Sequence, residues 1–222
     1  MQKQALLIGN SDGIGLATTK RLLDLGWQIK GISRSNSPIS HASYRHHLSD
    51  VSSEAYHRLI IALVREIEFD LCIYCAGIGE LLDPRKMGNE IHIFDVNLIG
   101  MVKTAAAIIP KMVEKGKGHF IGISSMADEL LSAEAPSYHA SKAGFSNYLE
   151  GLALALKNKG VHVTNIRFGF VDTKMAKGDT RPLMISIDKA VEHIEHCILK
   201  KPVRYSAPKL AVPLIKLRKL LM

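Results

Sequence analysis

Tyr138 and Lys142 stand four residues apart in a stretch with helical periodicity, so their side chains share one face of a helix. A free phenol titrates near pH 10, in round terms, and is a poor acid or base at neutral pH. A neighbouring ammonium favours the phenolate and brings that value down. The pair therefore suits proton exchange with a carbonyl or alcohol oxygen. A second chemical signal is the run Gly9-Asn10-Ser11-Asp12-Gly13-Ile14-Gly15. Gly9 permits a tight exit from a strand, Gly13 lets a pyrophosphate approach the backbone, and Gly15 lets helix and strand pack closely. The helix start beyond it offers free N–H groups and partial positive charge to phosphate. Taken singly, a Tyr-x3-Lys is common on solvated helix faces and a glycine triplet is often a plain turn. Their weight comes from the frame around them.

That frame alternates short apolar runs with helical patterns. Strands are expected at Ala5–Ile8, Gln28–Ser33, Tyr44–Leu48, Asp70–Cys75, His119–Ser124 and Val161–Phe168. Helices are expected over Leu16–Leu25, Ser53–Glu66, Glu90–Glu114, Pro136–Asn158 and Ile187–Leu199. Such alternation predicts right-handed βαβ units: a single doubly wound, Rossmann-like α/β domain with a largely parallel sheet. The glycine turn then falls in the first βαβ unit, where a dinucleotide site belongs. The chain has 222 residues, 47% hydrophobic and 23% charged, enough for one domain with a good core and against disorder or collagen-like repeats. A net charge of +8 favours phosphate-bearing partners, yet the charge gathers in no nucleic-acid motif. Three cysteines do not make a disulfide framework, so a reducing, cytoplasmic setting is expected. Cys72 and Cys75 point to opposite faces of a strand and read as core thiols, and His193 and His196 as surface residues; no metal site is expected. No run reaches the length of a membrane-spanning helix, and the start of the chain does not read as a cleaved leader.

Taken in order, the motifs resemble the short-chain dehydrogenase/reductase family from Ala5 to about Thr173. They are the Gly-x3-Gly-x-Gly turn, Asp50-Val51, Cys75-Ala76-Gly77, Asn97, Ser124-Ser125, Tyr138-His139-Ala140-Ser141-Lys142 and Gly169-Phe170-Val171-Asp172-Thr173. The resemblance implies a nicotinamide-dependent oxidoreductase with Tyr138 as acid/base. It implies that Ser125, thirteen residues earlier, polarises the substrate oxygen and is chosen over Ser124 by that spacing. It also implies that Lys142 bonds the nicotinamide ribose, and that Asn97 helps hold a water through which Lys142 relays protons. Cofactor contacts are implied at Gly9, Ser11, Asp12, Gly13, Ile14, Gly15, Ser33, Arg34, Asp50, Val51, Ala76, Gly77, Tyr138, Lys142, Val171 and Thr173. Three residues depart from the pattern. Ile8 replaces the usual Thr, Cys75 the usual Asn and Phe168 the usual Pro, so apolar packing is expected to hold the sheet centre.

At the end of the second strand an NAD site would carry a carboxylate for the ribose 2′-hydroxyl. Ser33 stands there, followed by Arg34, a group suited to a 2′-phosphate. This points to NADP(H) over NAD(H), the alternative being a plain surface arginine. The expected reaction is hydride transfer between NADP(H) and a small carbonyl or alcohol substrate. The competing reading is a non-catalytic dinucleotide-binding regulatory or scaffold protein of the same fold, against which the intact Ser125–Tyr138–Lys142 set argues. The segment 174–185, with Met175, Lys177, Arg181, Pro182 and Met184, is a short lid by resemblance, suggesting an open site. By analogy the long helices make the chain a homo-oligomer. The expected division is a domain over residues 1–206 and a basic, apolar tail over 207–222. After Pro213 the tail places Leu214, Leu217, Leu220 and Leu221 on one side of a short helix, with Lys216 and Lys219 away from it. Such a helix docks on protein or weakly on a membrane surface; docking on protein is preferred because stable lipid anchoring needs a second signal.

Overall fold

The computed structural model describes residues 2–176, 181–213 and 215. Seven strands form one parallel sheet: β1 (Gln4–Ile8), β2 (Gln28–Ser33), β3 (Tyr44–Leu48), β4 (Leu71–Tyr74), β5 (Gly118–Ser125), β6 (Val161–Phe168) and β7 (Arg204–Ala207). Their order is β3-β2-β1-β4-β5-β6-β7, so the winding reverses between β1 and β4. Ligands of open α/β sheets bind outside the carboxyl ends of strands at such a reversal. Helices α1 (Gly13–Asp24) and α6 (Ile187–Lys200) cover one face. The other face carries α2 (Glu54–Glu66), α3 (Gly88–Phe94), α4 (Gly100–Lys115) and α5 (Pro136–Ala155). Two apolar layers result, one on each face: Leu6, Ile8, Cys72 and Phe120 point into one, Leu7, Ile73 and Ile121 into the other. The central strands are fully buried, as expected of a parallel sheet clad on both sides.

Local chemistry sets the element ends. Asp12 accepts a hydrogen bond from Gly13 N and caps α1, while Ser53 and Ser186 cap α2 and α6 by accepting from Tyr56 N and Lys189 N. Pro136 opens α5, where its missing N–H costs nothing. Gly122 in β5 lets α5 lie close to the sheet: a β-carbon there would fall 2.4 Å from Leu149 Cδ1 and 2.7 Å from the Phe145 ring. Phe145 and Leu149 are fully buried, and each such side chain contributes about 2–3 kcal/mol through burial. This packing fixes the helix that carries Tyr138 and Lys142.

Several expectations change in detail. The long helix runs unbroken through Gly88–Lys115, but Asp95–Ile99 forms one π turn inside it. By length and composition this helix could cross a membrane, contrary to the sequence reading. Half of it is buried, with Ile93, Met101, Ala105, Ile108 and Met112 in the core. Helix α5 ends at Ala155, and the chain turns back through Leu156–Gly160. β7 was not foreseen: it is a short edge strand, and of its four residues Ala207 alone is buried. Ala207 thus closes a strand of the sheet. His193 and His196 are not simply solvated, since both rings pack near Tyr205, whose hydroxyl shares a 2.9 Å hydrogen bond with His193 Nδ1. Cys72 and Cys75 do face opposite layers, and burial pushes the Cys75 thiol up to about 12. No cluster of three metal-ligating side chains occurs among the described residues. Lys177, Leu214, Lys216, Leu217, Lys219, Leu220 and Leu221 lie outside the described residues.

Candidate active site

The glycine turn sits at the reversal point. Gly9 has φ +80°, and a β-carbon on it would lie 2.5 Å from Ala76 N, so the exits of β1 and β4 touch. The sheet centre is tied by backbone, with Cys75 N donating to Ile8 O at 2.8 Å, and Ile8 is fully buried as its apolar character requires. Beyond the turn, Asp12 satisfies Gly13 N at 2.8 Å, which leaves the N–H groups of Ile14 and Gly15 without intrahelical partners. That is the chemistry of a phosphate cradle. The Ile14 side chain packs into the core behind it, and Ser11 lies half-buried in the turn. The Asp12 carboxylate is taken by the cap and by Lys174 Nζ at 2.7 Å, and this bonding holds it below the usual carboxylate range. It shapes the turn. Thr173 faces the turn, its Cγ2 lying 3.5 Å from where a Gly13 β-carbon would be. Val171 is buried and bridges to Ile185.

At the end of β2, the buried Ser33 hydroxyl donates to Ser35 O at 2.9 Å and shares a 2.7 Å hydrogen bond with His46 Nε2. It holds the Arg34–Ser35 corner and puts no carboxylate there. Arg34 is exposed beside Asp50. Burial works to raise Asp50, but hydrogen bonds from Ser52, aided by His92 and Arg34, hold it below its usual range. Val51 is buried with its side chain against Gly100.

On the other side of the reversal, Tyr138 lies half-buried with its ring against Gly79, where a β-carbon would come within 3.2 Å of Cδ2. The Ser125 hydroxyl lies close enough to act on the phenol and favours its ionised form. Ser125 ends β5, and its Oγ accepts from Ala127 N at 3.1 Å, while Ser124 points inward to Ser146 at 2.8 Å. The structure therefore brings Ser125 to Tyr138 and leaves Ser124 in the interior. Lys142 is 5% exposed, its ammonium donating to Ile123 O at 3.0 Å and standing 4.9 Å over the Phe145 ring. Burial lowers it to about 8. Gly77 lies beside it: a β-carbon there would sit at contact distance, 3.6 Å from Lys142 Nζ and 3.4 Å from Asn97 Oδ1.

Around Tyr138, burial works to raise the phenol, the Ser125 hydroxyl opposes this, and the charge of Asp128 adds to it. The Lys142 ammonium gives one of its three N–H bonds to Ile123 O. Asn97 in the π turn is fully buried, and its side chain clamps Ile78 N at 2.8 Å, Ile78 O at 2.9 Å and Ser141 Oγ at 3.0 Å. Both amide hydrogens are used, so the Asn97 side chain holds the Gly77–Gly79 segment in place. The sequence reading missed Gly79, Asp128 and Arg167. The signal for Arg167 was an arginine inside the apolar strand β6, which demands a buried partner.

Comparison with known proteins fits this layout. The family profile "short chain dehydrogenase" matches residues 3–183. The chain belongs to the short-chain dehydrogenase family. It is an oxidoreductase of that family by the same evidence. This short-chain dehydrogenase is 34% identical over 149 residues to an uncharacterized oxidoreductase of Myxococcus xanthus, a match covering 65% of this chain and 59% of the relative's length. In fold it is similar to a short-chain dehydrogenase of Burkholderia cenocepacia solved with NADP (TM-score 0.85, 20% identity, covering 97% of this chain and 93% of the other). It is also similar to a 4-hydroxyisoleucine dehydrogenase solved with NADH (TM-score 0.81, 21% identity, 92% and 96%).

Proposed function

We propose that this short-chain dehydrogenase transfers hydride between NADP(H) and a carbonyl or alcohol substrate, with Tyr138 as the acid/base. The observation that carries the reading is the convergence at the β1/β4 reversal of the Tyr138 ring on Gly79, the Ser125 hydroxyl acting on that phenol and the buried Lys142 one turn along the same helix. The cofactor, when bound, supplies the hydride for the carbonyl carbon. Tyr138 gives its proton to the carbonyl oxygen, and Ser125 bonds the same oxygen as charge develops on it. A phenol raised by burial stays protonated at neutral pH, which is the form that reduction needs. Lys142 lies beside Gly77, where its remaining N–H bonds can reach a ribose. Ile14 and Gly15 N–H groups suit the pyrophosphate, and Asp50 with the Val51 backbone suits the adenine. Arg34, with Ser33 in place of a carboxylate, favours the 2′-phosphate of NADP(H). Phe170, Met175, Leu183 and Met184 expose apolar surface along the segment after β6, which supports an apolar substrate.

The test is NADPH consumption against a panel of aldehydes, ketones and quinones. Tyr138→Phe keeps the ring packing on Gly79 and removes the proton donor. It should abolish turnover while NADPH binding stays measurable. A variant keeping most of the wild-type rate would refute Tyr138 as the acid, and NADPH binding with no turnover of any carbonyl would favour the regulatory reading.

A further inference from the structure

We propose that the buried Arg167–Asp128 ion pair is a positioning device for the catalytic pair, fixing the turn that presents Ser125 to Tyr138 and neutralising the carboxylate behind them. The inference rests on the acid/base reading of Tyr138. Asp128 and Arg167 side chains are 2% and 4% exposed. Arg167 Nε donates to Asp128 Oδ2 at 2.7 Å and Nη2 donates to Oδ1 at 2.6 Å, a two-bonded fork. Ser146 also donates to Asp128 and is linked to Ser124. Arg167 reaches further to Glu129 at 2.6 Å and Ser206 at 3.2 Å. Asp128 thus ties β6, α5 and β5 to one short 3₁₀ turn, Met126–Glu129. That turn begins at Ser125, whose Oγ is its cap. A shift of Asp128 is passed through three residues to the hydroxyl that meets Tyr138.

The charge matters as well as the tether. His139 packs edge-on to the Tyr138 ring, and Ser125 from β5 and Asp128 from the turn act on the phenol; Cys75 from beyond β4 and Asp128 act on Lys142, one turn along α5. Asp128 is the carboxylate acting on the phenol, and it also works to raise Lys142. Arg167 is the counter-charge in direct contact with it. Stability alone does not require such a pair, because well-packed apolar residues often replace buried ion pairs without loss. A structural brace and an electrostatic one therefore part company under substitution.

The experiment uses Arg167→Met, Asp128→Asn and the double variant. Reduction of 4-nitrobenzaldehyde with NADPH gives kcat and KM across pH, and protein labelled with [13Cζ]tyrosine gives the Tyr138 titration, assigned by its loss in Tyr138→Phe. Asp128→Asn should move the Tyr138 midpoint down, and Arg167→Met should move it up, each by about half a pH unit or more. The double variant should return towards wild type. Arg167→Met should lower kcat on the order of tenfold as Ser125 loses alignment, with NADPH affinity within about twofold of wild type. Unmoved midpoints in Arg167→Met and Asp128→Asn overturn the proposal. If Arg167→Met does not fold, Asp128→Asn decides alone, since an amide can still accept from Arg167. If wild type does not reduce the aldehyde, the carbonyl-reductase reading loses that support, and the tyrosine titration still decides the ion pair.

Discussion

Replacing Lys142 by Met should change the pH dependence of stability in a way that can be worked from its surroundings. The lysine is nearly fully buried, and burial brings it from 10.5 to about 8. The unfolded chain therefore holds this proton more tightly than the folded one. Stability must rise with pH through the interval between the two values, and fall as pH drops towards the lower one. From about pH 8 to about pH 9.5 wild type should gain roughly 1.5 kcal/mol that Lys142→Met does not, at about 1.4 kcal/mol per pH unit of separation. The neutral-pH difference is a balance. Met removes the cost of a buried cation, up to about 3 kcal/mol at pH 7, but leaves Ile123 O without its donor, a loss of about 1–3 kcal/mol. The slope is free of that balance, because the lost bond costs the same at each pH. Urea unfolding followed by the single tryptophan, Trp27, buried at 8% exposure, measures both proteins at each pH. Differencing the two curves removes titrations common to both. Parallel curves between pH 8 and 9.5 would refute a buried, lowered lysine.

Gly79→Ala should lower kcat by about tenfold or more while NADPH affinity holds, because its β-carbon would press Tyr138 Cδ2 at 3.2 Å and tilt the phenol; stopped-flow hydride transfer with bound NADPH checks this. Arg34→Ala should weaken NADPH about tenfold and leave NADH nearly unchanged, by fluorescence titration. Ser33→Asp should reverse the preference, and equal affinity of wild type for the two nucleotides would sink the NADP(H) assignment. Deleting residues 209–222 should lower stability, since Val212 and Ile215 line a small cavity with Met126, Glu129 and Arg167; unchanged unfolding and mass with lost sedimentation on anionic vesicles would show a lipid role instead.

The legible parts of this molecule are those where one local demand selects one residue type. Gly9 must be glycine for a positive φ and for contact with Ala76, so the phosphate turn announces itself. The central strands carry short buried apolar runs, Ala5–Ile8 in β1, Leu71–Tyr74 in β4 and Phe120–Ile123 in β5, and Tyr138 and Lys142 share a face through helix geometry alone. What stayed hidden depends on pairs brought together by the fold. β7 carries too few buried residues to look like a strand. The π turn changes neither composition nor length, yet it sits where Asn97 clamps Ile78. Arg167 and Asp128 are 39 residues apart, so the sequence shows an arginine in an apolar strand without naming its partner. The sign of the Tyr138 shift was hidden for the same reason. Spacing places an ammonium near the phenol, but burial and the direction in which that ammonium bonds decide the outcome, and both belong to the folded interior. The family motif therefore fixes which residues meet, while the side chains behind it decide in which protonation state they meet.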